Sequence, residues 1–391
     1  MQRKTRNNNS HKPNGNSDDG ENPVKTVLEF FAGIGLMRMG LERQGWSVVY
    51  ANDIAPDKVE IYHHNFPENK ETFWVGDIHK IDPSTMPSAA LATASFPCND
   101  LSVAGARAGL EGKQSSAFWG FVEILQGMGE RRPPIVLLEN VVGFLTSHGG
   151  NDFRLALQAL NELGYSVDTM IVDAERFVPQ SRKRLFVIGA LNREGVERPL
   201  VFETDVRPRS LIDFIMGCKG IKWNIRTLPP LPSRTDGLSS ILENLPADAK
   251  EWWSEERAVY LLNQMSPKHR ELAEKMMSRP NWSYGTVFRR VRRGKSMAEL
   301  RVDGIAGCLR TPRGGSGRQI LFAARKNEYR VRLLTARECA RLMGANEFKV
   351  EVPLNQALFG FGDAVCVPVI HWIAANYLDP LLTELSAKRR P

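Results

Sequence analysis

Residues 26–35 have the sequence TVLEFFAGIG, in which a run of strand-forming residues ends in two closely spaced glycines. This arrangement is typical of a strand-to-helix turn where the backbone approaches a ligand closely. Nicotinamide-dependent enzymes carry a similar turn, but they usually have a third glycine at the position that Arg38 occupies here, near a pyrophosphate. The segment therefore predicts the first βα unit of a parallel sheet and a ligand without a pyrophosphate.

β-rich runs and amphipathic stretches alternate from Thr26 to about Ala190, which predicts an α/β fold with a doubly wound, mostly parallel sheet. The predicted strands cover residues 26–31, 47–53, 72–75, 92–96, 135–138, 167–172 and 184–188. The predicted helices between them cover residues 36–44, 58–65, 117–128 and 153–163. Ligands of such sheets bind at the carboxyl ends of the strands, so functional residues are expected in the loops that follow them.

Composition changes along the 391 residues and predicts two domains. Residues 1–24 are polar and charged and predict a disordered tail, followed by a first domain over residues 25–190. Residues 191–331 are rich in Pro, Gly, Trp and Arg without a clear helix or strand period, which predicts a smaller, irregular second domain. Regular patterns return in residues 332–391, with predicted helices at 337–343 and 365–377.

The overall composition favours a soluble protein with a polyanionic partner. Hydrophobic residues make up 42% and charged residues 25%, and no apolar run approaches the roughly 18 residues of a membrane span. The start of the chain lacks the apolar stretch of a signal peptide, and the five cysteines are widely spaced, which favours a reducing, cytoplasmic compartment and predicts no metal site. The net charge of +8 fits a nucleic acid as partner.

Two acidic residues follow the second and third predicted strands. Asp53 lies 20 residues beyond Gly33, the distance at which an acid commonly accepts hydrogen bonds from a ribose. Asp77 ends the third strand and could accept from an adenine amino group. The alternative is that both acids only cap loops.

Three further groups follow later strands. Cys98 lies directly after Pro97 at the end of the fourth strand; taken alone it would be a small buried hydrophobe, but its place before a Gly- and Ala-rich segment favours a site residue. Glu139 follows four apolar residues, where a carboxylate needs a partner. Residues 179–184, PQSRKR, bring three cations to the mouth of the same sheet.

In this order, the glycine turn, the two acids, Pro-Cys, Glu-Asn-Val and Gln-x-Arg-x-Arg closely resemble the cytosine-5 DNA methyltransferase family. The resemblance covers nearly all of residues 26–190 and 332–379, and it includes RLLTARECARLMG at 332–344 and FGDAVCVPV at 361–369. The chain departs from the family pattern at Asn99, where Gln is usual, and at Asp363, where Asn is usual. The second departure affects an expected cofactor contact.

The resemblance implies a class I methyltransferase fold that uses S-adenosylmethionine, with residues 332–391 returning to the first domain and residues 191–331 forming a target-recognition domain. It implies that Cys98 adds to carbon 6 of the cytosine, that Glu139 bonds the ring N3 and amino group, and that Arg184 holds O2, with Arg182 as a further catalytic candidate. The implied cofactor-binding residues are Phe31, Gly33, Gly35, Asp53, Ile54, Asp77, Ile78, Pro97, Asp363 and Val365.

The implied substrate is a cytosine flipped out of double-stranded DNA, with residues 102–112 closing over it. Arginines and glycines in residues 289–295 and 310–319 are suited to grip phosphate or to read guanine, and both alternatives stay open. The candidate DNA contacts are Ser102, Arg310, Arg313 and Arg318. Trp252, Trp253 and Trp282 are more typical of a core or domain interface than of base stacking.

Three other functions compete with DNA methylation. The tRNA-methylating branch of the same family shares the chemistry but typically has a less developed recognition region. A catalytically silent DNA-binding protein would not need Cys98, Glu139 and Arg184, and a nicotinamide-dependent oxidoreductase is the most distant alternative. The expected protein is a monomer, and the sequence leaves open a cognate restriction endonuclease that acts separately.

Overall fold

The computed structural model describes residues 24–97, 116–292, 294–312 and 317–387. Cys98, Ser102 and Arg313, the segment 102–112, and nearly all of the predicted tail lie outside the described residues.

A seven-stranded sheet forms the centre of the large domain, with the strand order β3-β2-β1-β4-β5-β7-β6. Strands β1 to β5 run parallel, whereas β7 is antiparallel to both of its neighbours. The strands are β1 (Thr26–Phe30), β2 (Ser47–Asp53), β3 (Phe73–Val75), β4 (Leu91–Ala94), β5 (Ile135–Val141), β6 (Tyr165–Asp173) and β7 (Lys183–Leu191). The predicted α/β class with a mostly parallel sheet is confirmed.

Helices cover both faces of this sheet, because the strands are apolar on both sides. The first four are α1 (Leu36–Glu42), α2 (Pro56–Asn65), α3 (Ser116–Gly127) and α4 (Asn151–Glu162). The predicted strands and helices of this domain lie within three residues of the observed bounds, and the largest differences are at the ends of β5, at Val141, and β7, at Leu191.

The C-terminal segment returns to the large domain. Its elements are α8 (Ala336–Leu342), α9 (Leu354–Asp363), α10 (Val367–Ile373), a π-helical turn (Ala374–Leu378) and α11 (Asp379–Ala387). Helix α10 packs closely on α1: a Cβ added at Gly40 would lie 2.6 Å from the Cβ of Ile370. Asp379 accepts from Lys25 at 2.7 Å and from the Trp46 indole at 2.9 Å, so the end of the chain is tied to its beginning.

The middle region is more regular than its sequence predicts. It holds helices α5 (Arg209–Gly217), α6 (Glu255–Asn263) and α7 (Pro267–Met277) and an antiparallel sheet of order β11-β10-β8-β9. These strands are β8 (Ser283–Arg292), β9 (Lys295–Arg301), β10 (Ile320–Arg325) and β11 (Glu328–Leu333). The expectation of an irregular domain was wrong, because the outer half of β8 is a solvent-exposed arginine run that hides the period of two.

The first part of the middle region packs on the large domain. Backbone bonds join Ile171 to Val206 at 2.8 Å and Val167 to Lys222 at 2.9 Å along the edge of β6. Arg207 forms a buried ion pair with Asp168 at 2.8 Å. Residues that follow position 190 therefore pack on the large domain, and the domain boundary that the sequence predicts at 190 stays a prediction.

One helical stretch, Leu354–Ala387, has the length and apolar composition to cross a membrane. However, 67% of its most apolar window is buried inside the protein, as in the core helices of soluble proteins.

Strand β1 carries a buried carboxylate, Glu29, behind the glycine turn. Its oxygens accept from the Arg38 amide at 3.1 Å and from the Tyr62 hydroxyl at 3.0 Å. Burial raises the pKa of Glu29 to about 8, against the lowering effects of Tyr62 and Arg38. The side chain therefore stays largely protonated near neutral pH.

The raised pKa of Glu29 predicts a pH-dependent stability. Because the folded protein binds this proton more tightly than the unfolded chain, the free energy of unfolding falls as the pH rises from 4.5 to about 8. Glu29→Gln, which stays neutral, is expected to be more stable than wild type by about 1–3 kcal/mol at about pH 9 and nearly equal at about pH 5. Urea unfolding at both pH values measures this. Glu68→Gln, at an exposed partner of Arg38, is the control; a Glu29→Gln variant with the wild-type pH dependence would contradict the assignment.

Candidate active site

A cleft of about 620 Å³ lies over the carboxyl ends of β1 to β5 and is closed by the C-terminal segment. The loops after all five strands contribute to its wall, as expected for an open parallel sheet. The predicted site residues that line it are Phe31, Gly33, Asp53, Ile54, Asp77, Ile78, Pro97, Glu139, Arg184, Asp363 and Val365. The structure thus brings together residues that are as far apart in the sequence as Phe31 and Val365.

The glycine turn and the first acid form one unit. Phe31 and Gly33 have positive φ values of 57° and 58°, so the chain turns sharply after β1. Asp53 accepts from the Gly33 amide and from the Ala55 amide, both at 2.8 Å. Because a carboxylate has about four acceptor positions, Asp53 can still accept from a ligand hydroxyl.

Gly35 does not line the cleft, although it was expected to contact the cofactor. Its φ is 87°, and an added Cβ would lie 2.4 Å from Cε2 of Phe66 and 2.9 Å from Tyr62. This glycine allows the turn to pack on the aromatic side chains of Tyr62 and Phe66.

Asp77 begins a short 3₁₀ helix, Ile78–Lys80, and accepts from the His79 amide at 3.1 Å. It also lines the cleft, so capping and ligand contact are compatible. Ile54 is 65% exposed although it follows a buried strand, which leaves an apolar surface free beside Asp53.

The C-terminal wall contains a charged pair that the sequence did not predict. Lys58 of α2 lies 2.7 Å from Asp363 at the end of α9, and both line the cleft. The Asn that is usual in the family at position 363 would not form this ion pair, whereas Asp363 pairs with Lys58.

Phe359 and Asn52 are two further lining residues that the sequence did not predict. Asn52 donates to the backbone oxygens of Trp74 and Gly76 at 3.1 and 3.0 Å. Lys58, Phe359 and Asn52 belong to none of the motifs that the sequence shows.

Glu139 and Arg184 form an ion pair at the inner end of the cleft. Arg184 Nε lies 2.9 Å from Glu139 Oε1, and both side chains are largely buried. Burial raises the pKa of Glu139, and the guanidinium groups of Arg184 and Arg182 oppose that rise. The neighbouring Asn140 bonds the Phe96 carbonyl at 3.3 Å, which ties the end of β5 to the chain that leads to Pro97. Cys98 itself lies outside the described residues.

Arg182, the other catalytic candidate, does not line the cleft. Its side chain is buried and donates to the Leu309 carbonyl at 2.9 Å, to the Gly362 carbonyl at 3.0 Å and to the Ala364 carbonyl. It joins the middle region to the C-terminal wall of the cleft.

The candidate DNA contacts that the structure describes, Arg310 and Arg318, do not line the cleft either. Arg310 is exposed, and Arg318 donates to Asn355 at 2.7 Å. The sequence did not single out Arg257 on α6, whose guanidinium lies 3.8 Å from the Trp253 ring centroid. Burial lowers the pKa of Arg257, and the positive charges of Arg289 and Arg318 lower it further.

The tryptophans stack on arginines within the middle region. Arg332 lies 5.1 Å from the Trp252 ring centroid, and Arg325 lies 4.5 Å from that of Trp282. Both of these ring contacts lie within the middle region itself. Among residues 24–97, 116–292, 294–312 and 317–387 no group of His, Cys, Asp and Glu could hold a metal ion.

The strand order and the cleft above it define a class I methyltransferase fold. Two solved structures share it over 92% of this chain and 98% of theirs: the S. pombe Dnmt2 methyltransferase, with a TM-score of 0.59 and 19% identity, and the Entamoeba histolytica methyltransferase EhMeth, with 0.62 and 16%. A family model described as C-5 cytosine-specific DNA methylase matches residues 25–378, and the chain belongs to this family.

Curated relatives agree with the family. The chain is 28% identical to the Type II methyltransferase M.HhaI of Haemophilus parahaemolyticus, over 89% of this chain and 93% of that protein. It is 26% identical to the Type II methyltransferase M.Bsp6I of a Bacillus species, over 91% of this chain and 99% of that protein. The protein is thus a DNA cytosine-5 methyltransferase.

Proposed function

We propose that the enzyme takes its methyl group from S-adenosylmethionine, bound in the cleft over β1 to β5. A volume of about 620 Å³ suits a nucleoside-sized ligand. Asp53 and Asp77 offer acceptors for ribose hydroxyls and an adenine amino group, and Phe31, Ile54, Ile78, Pro97, Phe359 and Val365 supply apolar contacts. When bound, S-adenosylmethionine supplies an electrophilic methyl group.

In the proposed mechanism Cys98 is the nucleophile. Carbon 5 of cytosine is a poor nucleophile, so the Cys98 thiolate first forms a bond to carbon 6 and the ring gains electron density. Glu139 donates a proton towards N3 and bonds the amino group, while Arg184 bonds O2. After methylation, loss of the carbon 5 proton re-forms the double bond and expels the thiolate.

The Glu139–Arg184 pair is the observation that carries this proposal. A carboxyl group whose pKa is raised by burial can hold a proton for N3, and the adjacent guanidinium can stabilise negative charge at O2. Cys98 follows Pro97, which lines the same cleft, and Asn140 ties that turn to the strand of Glu139.

The proposed DNA partner contacts the middle region. Arg257 lies close enough to Arg289 and Arg318 that their positive charges lower its pKa. Such a cluster of arginines is suited to binding a polyanion. We further propose that the enzyme is a cytoplasmic monomer and, like its Type II relatives, belongs to a restriction-modification system whose endonuclease acts separately.

Bisulfite sequencing of DNA from cells that express the protein tests the function directly. Protected cytosines in one recurring sequence context are expected, and the Glu139→Gln variant should leave them unprotected. Unmodified DNA together with methylated cytosines in purified tRNA would favour the tRNA branch of the family instead.

Replacing Asp77 should weaken cofactor binding. Asp77→Ala is expected to lose about 1.5–3 kcal/mol of S-adenosylmethionine affinity, measured by calorimetry, with DNA affinity unchanged, because one hydrogen bond to a charged acceptor is removed. Asp82 caps the next 3₁₀ helix through Ser84 at 2.9 Å but does not line the cleft, so Asp82→Ala is a matched control. Equal affinities in the two variants would show that Asp77 only caps its helix.

Replacing Arg318 should affect DNA binding. If its side chain grips phosphate, Arg318→Ala weakens binding to all sequences and lowers the salt slope by about 1; if it reads a base, sequence choice relaxes. Titrations at several salt concentrations on matched and mismatched DNA distinguish the two. Arg209→Ala, an exposed arginine of α5 paired with Asp213, is the control. Wild-type affinity, specificity and salt slope would remove Arg318 from the interface.

A further inference from the structure

The charged side chains that line the cleft are mostly acidic. Among the described lining residues, Lys58 and Arg184 are the lysine and arginine, whereas the aspartates and glutamates are Asp53, Asp57, Asp77, Glu139 and Asp363. Arg184 pairs with Glu139 at 2.9 Å, at the inner end of the cleft. Lys58 is thus the lining cation that is not paired with the proposed catalytic carboxyl group.

Lys58 lies in the first turn of α2, directly behind the proposed ribose acid. Asp53 accepts from the Ala55 amide at 2.8 Å, and the Ala55 carbonyl accepts from the Lys58 amide at 3.0 Å. Two hydrogen bonds therefore join Asp53 to the backbone of Lys58 through a single residue. The Lys58 side chain is half-buried and lines the cleft.

Asp363 holds the Lys58 ammonium from the C-terminal wall of the cleft. Lys58 Nζ lies 2.7 Å from Asp363 Oδ2. The backbone on both sides of Asp363 is fixed, because Arg182 donates to the carbonyls of Gly362 and Ala364. The ion pair therefore bridges two walls of the cleft, and the aspartate that holds the ammonium has a fixed backbone.

The Lys58 ammonium has capacity for a further acceptor. An ammonium has three donors, and among the described residues Asp363 is the acceptor within hydrogen-bond distance of Lys58 Nζ. S-adenosylmethionine carries two cations, its sulfonium and its ammonium, which suit the acidic lining, and one anion, the carboxylate of its methionine part. A hydrogen bond between an ammonium and a carboxylate is among the strong ones in proteins.

We propose that Lys58 binds the carboxylate of the methionine part of S-adenosylmethionine, and that Asp363 is a positioning residue that holds the Lys58 ammonium at the cleft. The inference rests on the proposed binding of S-adenosylmethionine in this cleft. It gives the departure from the family pattern at position 363 a function, since Asp363 acts on the cofactor through Lys58.

The test compares two ligands by calorimetry: S-adenosylmethionine and decarboxylated S-adenosylmethionine, which keeps the sulfonium and the amine but lacks the carboxylate. Lys58→Met keeps most of the apolar stem and removes the charge. We expect it to bind S-adenosylmethionine about 5- to 10-fold more weakly than wild type, and the decarboxylated ligand within about twofold of wild type. Lys80→Met, at an exposed lysine that does not line the cleft, should match wild type with both ligands.

Asp363→Asn tests the positioning role. Its amide oxygen accepts from Lys58 without an ion pair, so we expect a loss of about two- to fourfold for S-adenosylmethionine and none for the decarboxylated ligand. The double variant should bind S-adenosylmethionine no more weakly than Lys58→Met alone, because Asp363 acts through Lys58. Losses that multiply, or an Asp363→Asn loss that is equal for both ligands, would show that Asp363 contacts the cofactor itself and would overturn its positioning role.

Two results with Lys58→Met would overturn the inference. Equal weakening of both ligands would show that the ion pair only closes the wall of the cleft, and wild-type affinity for both would show that Lys58 does not contact the cofactor. In either case S-adenosylmethionine binding by wild type leaves the proposed function standing. If wild type binds neither ligand, the proposed cofactor site fails, and the inference fails with it. Thermal unfolding of each variant separates a lost contact from a loss of folding.

Discussion

DNA with 5-fluorocytosine at the target position is expected to trap the wild-type enzyme in a complex that survives denaturing electrophoresis, whereas Cys98→Ser forms none. The covalent adduct resolves only when a base removes the proton from carbon 5, and fluorine cannot leave in that way. A serine hydroxyl is far less ionised than a thiol near neutral pH, so it adds too slowly to the ring. Turnover on ordinary DNA should fall by on the order of 10³-fold or more.

Two comparisons make the trapping experiment specific. The trapped complex should require S-adenosylmethionine, and Cys218→Ser, at a buried cysteine of α5's end, should form it as wild type does. An adduct that persists in Cys98→Ser, or that wild type never forms on DNA it methylates, would refute the nucleophile assignment.

The sequence predicted the large sheet well because its strands are short apolar runs followed by glycine, acid or Pro-Cys turns. In β1 and β5 these runs are buried on both faces, and the residue that follows each apolar run, Phe31 or Glu139, lines the cleft. Local composition and position in the sheet therefore both predicted that Asp53, Asp77 and Glu139 lie at the ligand-binding edge, and all three line the cleft.

The unpredicted features depend on contacts between distant segments. Lys58 and Asp363 are 305 residues apart, and nothing near either residue indicates the pair. Gly35 resembles a ligand-binding glycine in sequence, but the aromatic side chains of α2 occupy the space beside it. Arg182 donates to Cys308 at 3.3 Å, which joins the segment between β9 and β10 to the residues before β7, and periodicity cannot show such a contact.

The two arginines of the Gln-x-Arg-x-Arg motif, Arg182 and Arg184, have different partners. Arg182 lies just before β7 and Arg184 lies within it, but the first is bonded to three carbonyls of two other segments while the second pairs with Glu139 in the cleft. The motif predicts two arginines at the mouth of the sheet; only their burial and partners distinguish the structural cation from the proposed catalytic one.

Glu139→Gln should lower kcat by about 10² to 10⁴-fold, the range for loss of a positioned general acid. The amide has nearly the same shape but cannot supply a proton to N3, and it leaves Arg184 without its carboxylate partner. Single-turnover methylation on a short duplex measures this step without product release. Glu123→Gln, an exposed carboxylate of α3 that contacts His79, is the control.

The pH profile gives an independent test of the same residue. Because burial raises the pKa of Glu139, its carboxyl group holds a proton to higher pH than an exposed glutamate, and the rate should fall as the pH rises through that pKa. In Glu139→Gln this fall in rate with rising pH is expected to disappear. A variant that keeps the fall and the wild-type rate would show that Glu139 neither donates the proton nor holds Arg184 at the cytosine.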